Sequence, residues 1–152
     1  MSAETLFKVV STAIVPGWLL LIVAPRSRIT ERLVSSGLYP LVFAVVYLVL
    51  IVVFYPAAQG GFGSLADVDR LFRDPFLLLA GWIHYLAFDL FVGAWEAGDA
   101  VGRGVHHLLL IPCLVLTFLF GPIGLLAYYG VRALASWRRG RLSGRCAASL
   151  PR

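Results

Sequence analysis

Read from its start, the chain alternates long apolar runs with short polar ones. Four runs stand out, at residues 6–24, 38–57, 76–95 and about 107–131. Each is about 20 residues or longer, enough at 1.5 Å per residue to cross a hydrocarbon layer of about 30 Å. A backbone in lipid must satisfy its own hydrogen bonds, so only helices or closed barrels cross. The runs lack the period-two alternation of barrel strands, which leaves helices. The pattern predicts an all-α fold: a four-transmembrane-helix bundle over residues 1–135, with short loops and a basic C-terminal tail over 136–152.

The connections carry their own signals. Ala24-Pro25-Arg26-Ser27 predicts a sharp end to the first helix, because proline cannot continue it and serine can cap a new turn. Within 59–75, Leu65, Val68, Leu71 and Phe72 recur at helical spacing, which predicts a short amphipathic helix on the membrane surface. Residues 96–105 are rich in glycine and read as a loop carrying Glu96, Asp99 and Arg103. Pro16-Gly17, Pro112 and Gly121-Pro122 with Gly124 fall inside runs; kinks are expected there, with neighbouring helices satisfying the freed carbonyls.

Composition agrees with a membrane protein. Of 152 residues 60% are hydrophobic and 14% charged, against about half and a quarter in soluble domains. The first run has no basic leader before Leu6 and no small-residue cleavage site after Val23, so it reads as a span and not as a signal peptide.

Charge sets the expected orientation. Four spans would collect nine of the thirteen cations on the side of the two ends and the 58–75 connection, leaving Arg26, Arg28, Arg32 and Arg103 opposite. The positive-inside rule then puts both ends in the cytoplasm of a bacterial inner membrane, although the compact Arg26/Arg28/Arg32 cluster argues the other way. The basic tail suits anionic membrane lipids. It is too short for nucleic-acid binding to be the expectation.

The chemistry lies in the third run. His84 falls near the midplane and Asp89 about 6 Å beyond the centre at Tyr85. An aspartate there costs about 2.5 to 3.5 kcal/mol on insertion scales, and so is expected to face the bundle interior or a wet cavity. Trp82, Tyr85, Asp89 and Glu96 share one stripe of the helix; His84 is 140° from Asp89 at 100° per residue, on another face. Pairing Glu96 with His106 at one membrane surface makes Tyr47, Tyr85, Cys113 and Thr117 the candidate partners at that depth, with Trp82 and Phe88 as further contacts for an apolar ligand. The two cysteines have no zinc spacing. A surface metal site from His106, His107, Glu96 and Asp99 is geometrically allowed, but interfacial anchoring accounts for those residues better, and no metal or cofactor is expected.

Trp82, Ile83, His84, Asp89, Leu90 and Phe91, then Phe120 to Gly124 (F-G-P-I-G), and Pro16, Leu20, Ala24 and Pro25 with Ile29 and Thr30, resemble the abscisic-acid-deficient-four-like family. The resemblance runs from about Leu6 to Leu134. It implies a small four-helix membrane protein, related to plant members needed to make neoxanthin from violaxanthin in chloroplast membranes. The resemblance further implies a carotenoid-like or other isoprenoid lipid as the partner. Opening an epoxide to an allenic alcohol is an isomerisation without net redox change. It needs an acid at the epoxide oxygen and a base at a polyene carbon, roles that Asp89 and His84 would fill without metal or nicotinamide. The alternative is a non-catalytic accessory or pigment-binding protein. A transporter ranks third, since four spans would need a homo-oligomer to form a path.

Overall fold

The structure, a computed structural model, describes residues 2–148, with side chains described as far as Trp137. Among the described residues all regular structure is helical, without strands. Among them eight α-helices occur in order: α1 (Ala3–Ala13), α2 (Val15–Val23), α3 (Arg28–Thr30), α4 (Leu38–Phe54), α5 (Leu65–Leu71), α6 (Pro75–Gly102), α7 (His107–Phe120) and α8 (Pro122–Ala148). Among the described residues three stretches are long and apolar enough to cross a membrane, Ala3–Val23, Arg28–Ala57 and Pro75–Gly102. The chain forms two compact units, Met1–Phe91 and Val92–Arg152, and α6 runs through both.

In the first unit the opening span bends at Ile14, where Pro16 lacks the N–H that a regular helix needs. The Gly17 N–H turns to the Ile14 carbonyl at 3.1 Å, which leaves the Ala13 carbonyl free. The Tyr39 hydroxyl donates to that carbonyl. Its ring lies so close that a Cβ on Gly17 would stand 2.9 Å away. The expected repair of a proline kink from a neighbouring helix is therefore present, and glycine is what admits the repairing side chain.

The first connection also matches expectation. α2 stops at Val23, and Ser27 caps the next turn by accepting from the Thr30 N–H at 3.1 Å. Thr30, fully buried, donates to the Ala24 carbonyl at 2.6 Å. A π-helical turn over Glu31–Ser35 leads into α4. One side of α4 is buried through Pro40, Phe43 and Leu50, while Leu41, Val45, Leu48 and Val52 are more than half exposed, as a lipid-facing surface requires.

The second connection contains the predicted short helix, α5. Ser64 caps it by accepting from the Asp67 N–H at 3.1 Å. Leu71 is buried, Val68 is half-buried, and the Phe72 ring packs on the bare face of Gly81 in α6. Leu65 is 86% exposed and stands clear of the unit.

The second unit departs from expectation in two places. First, the glycine-rich 96–105 stretch is helical as far as Gly102, because Asp99 and Arg103, four residues apart, pair along it at 2.9 Å. Second, the expected fourth span 107–131 is not one helix. It breaks at Gly121, whose φ of 47° and ψ of −97° suit a residue without a Cβ, and α8 then packs against α7.

Candidate functional site

Among the described residues, two polar groupings are built on α6, one in each unit. The first surrounds the middle of α6. Trp82 donates from Nε1 to the Ser11 hydroxyl at 3.0 Å and is flanked by the Phe7 ring at 5.7 Å and the Tyr85 ring at 5.5 Å. One turn on, Tyr85 is hydrogen-bonded to Asp89. Asp89 is half-buried, and its Oδ2 is buried without a hydrogen-bond partner among the described residues.

His84 faces elsewhere, as its 140° separation from Asp89 requires. It is exposed on the apolar surface, with the Tyr47 ring at 5.7 Å on one side and Phe88 at 4.6 Å on the other. Phe88 and Phe91, at four and seven residues from His84, are both more than half exposed. They extend the same face. The structure thus brings Tyr47, His84 and Phe88 together, and separately Trp82, Tyr85 and Asp89. His84 and Asp89 do not meet side by side.

The second grouping lies where α6, α7 and α8 converge, and it corrects the expected register. The residue of α7 found against Glu96 is Thr117, eleven residues beyond the His106 expected at its level; the Thr117 hydroxyl donates toward the two carboxylate oxygens at 3.0 and 3.1 Å. The shift of eleven residues arises because α6 continues to Gly102, which moves the turn beyond Glu96. Both side chains are fully buried. Gly124 makes the approach feasible, since a Cβ there would fall 2.1 Å from the Thr117 amide nitrogen and hydroxyl. Cys113, the other expected partner in α7, donates its thiol to the Leu109 carbonyl at 3.4 Å.

One turn beyond Glu96, Asp99 is a hub. The Tyr128 hydroxyl donates to it at 2.6 Å, Arg103 at 2.9 Å, and Arg132 stands 3.5 Å away. Arg132 also lies over the Tyr129 ring at 5.3 Å and the Trp95 ring at 6.0 Å. In the sequence Asp99 and Arg103 read as loop charges. Their spacing of four is the available signal, and Gly98 and Gly102 mask it.

An all-helical chain with membrane-length apolar helices and polar groups sunk in them belongs to the class of helical membrane proteins. More narrowly, residues 5–128 match the family model described as ABA DEFICIENT 4-like, and the chain belongs to that family. It is 24% identical over 140 residues to Protein ABA DEFICIENT 4, chloroplastic, of Arabidopsis thaliana, an alignment covering 87% of this chain and 62% of that protein. The chain therefore spans less than two thirds of the relative's length. No solved structure matches it.

Proposed function

We propose that this is an integral membrane protein of the inner membrane that acts on a carotenoid-like or other isoprenoid lipid as a cofactor-independent isomerase. The observation that carries the reading is His84: an imidazole near the middle of a membrane-length helix, exposed on the apolar surface and set between Tyr47 and Phe88. A soluble substrate would not reach it there. A rod-shaped apolar molecule dissolved in the bilayer would, with its polyene against Phe88 and Phe91 beside His84 and its oxygen turned toward Asp89.

The chemistry requires a base near a polyene carbon and an acid at the breaking C–O bond; the proton leaves carbon, the bond electrons go to oxygen, and oxygen takes up a proton. His84 is the base on the exposed face. Asp89, held by Tyr85 and with Oδ2 unpartnered, is the acid on the adjoining face. A substrate using both must lie across α6 between residues 84 and 89. Family membership supports the isoprenoid class, and the polar positions inside α6 support the proton-transfer step.

Mass spectrometry of lipids retained by the purified protein, followed by incubation, tests this. A retained polyene or isoprenoid that is converted on incubation, with conversion lost in His84→Ala and Asp89→Asn while both variants stay folded, is the expected result. A polyene held unchanged by all three proteins would favour the accessory, pigment-binding role. Retention of ordinary phospholipid alone overturns the isoprenoid reading.

A further inference from the structure

The second unit contains a reversal between α7 and α8. α7 leaves the turn at residues 103–106 and rises for 14 residues, about 21 Å at 1.5 Å per residue. That falls short of a hydrocarbon layer of about 30 Å. At Gly121 the chain turns sharply enough for Gly124 to touch Thr117. Eleven residues past that turn, Arg132 is 3.5 Å from Asp99, and Tyr128 donates to the same carboxylate. Asp99 lies one turn before the end of α6. α8 has therefore returned to the level from which α7 set out. Irregular backbone at membrane depth is tolerated where protein encloses it; Gly121 and Gly124 are buried beside the buried Glu96 and Thr117, while the flanking Phe120 and Ile123 turn apolar side chains outward, as lipid requires.

We infer that α7 and α8 form a re-entrant hairpin, so that the chain crosses the membrane three times and not four, with its N-terminal end outside and its arginine-rich C-terminal end in the cytoplasm. The distribution of charge supports this independently. With three crossings at Ala3–Val23, Arg28–Ala57 and Pro75–Gly102, one face carries Lys8, Arg70 and Arg73. The other carries Arg26, Arg28, Arg32, Arg103 and the six arginines from Arg132 onward, ten of the thirteen cations. Four crossings divide the same charges nine to four and strand the Arg26/Arg28/Arg32 cluster opposite the rest. The re-entrant path removes that conflict, and the positive-inside rule then assigns the ten-cation face to the cytoplasm. Anionic phospholipid headgroups of that leaflet are the partner such a face fits.

Labelling of intact bacterial cells with a membrane-impermeant maleimide tests the path, using single cysteines at exposed positions in a Cys113→Ser, Cys146→Ser background. Gln59→Cys is expected to label, and Ser35→Cys and Ser136→Cys to label only after the cells are opened. Labelling of Ser136→Cys together with Gln59→Cys restores a fourth crossing and overturns the inference; so does labelling of Ser35→Cys with Gln59→Cys protected. Should the cysteine background misfold, fusions to the otherwise unaltered chain decide. A C-terminal fluorescent protein is expected to glow and a short N-terminal epitope to be reached by antibody on unopened spheroplasts; a dark C-terminal fusion, or an N-terminal epitope reached only after the membrane is opened, overturns the inference. The outcome is independent of any reaction at His84.

Discussion

Gly124 shows how a single missing methyl group can govern a buried polar contact. A Cβ at that position would meet the Thr117 amide and hydroxyl at 2.1 Å, and both atoms belong to a helix that cannot simply swing aside. Gly124→Ala is expected to destabilise the protein by about 1–3 kcal/mol, the range for overpacking a filled site, and to lower its unfolding midpoint in detergent. Gly130→Ala, where a Cβ meets nothing within 4 Å, is the control; it should be neutral or slightly stabilising, since alanine exceeds glycine in helix propensity by about 1 kcal/mol. Equal midpoints for the two variants would sink this account. At this scale His84 and Asp89 stand out in the sequence because polar side chains inside an apolar run are conspicuous. The partnership of Glu96 with Thr117 is hidden there, because it depends on a register that the turn, and not the side chains, decides.

Single elements show which local signals suffice. The cap at Ser27 is legible because serine before a helical turn bonds to amides two or three residues away and needs nothing distant; Ser64 caps α5 in the same way, although the spacing of Leu65, Val68, Leu71 and Phe72 does not single it out. The extent of α6 is not legible, because Gly98 and Gly102 carry loop composition while the Asp99–Arg103 pair holds the helix together. Nor is the break at Gly121, since F-G-P-I-G within an apolar run reads equally well as a kink. The amphipathic element α5 offers a pH test. The Ser64 hydroxyl, and then the Arg70 guanidinium, hold the Asp67 carboxyl below its ordinary value of 3.8. A carboxyl lowered on folding stabilises the folded form above its unfolded pKa, and that stabilisation is lost as pH falls through the lowered value. Amide protection factors in α5 should therefore fall as the pH drops through and below 3.8 in the parent chain, while Asp67→Asn should show a smaller dependence. The same slope in both proteins would remove the carboxyl from the explanation.

For the molecule as a whole, the outward faces of α4 and α6 leave apolar side chains that water would not tolerate, and this all-round apolarity is why membrane residence can be read directly from the sequence. The number of crossings cannot, because length and hydropathy count runs and do not reveal where a run doubles back. The 28 residues of α6 make a rod of about 42 Å, some 12 Å longer than an average hydrocarbon layer. Such a rod leans over or lets its last two turns stand among the headgroups, and those turns hold Glu96 and the Asp99 hub. Bilayer thickness should thus act as a dial on that end of the helix. Reconstituted in lipids of graded chain length, Arg103 and Arg132 should become easier to modify chemically as the acyl chains shorten, whereas Tyr47 should not respond.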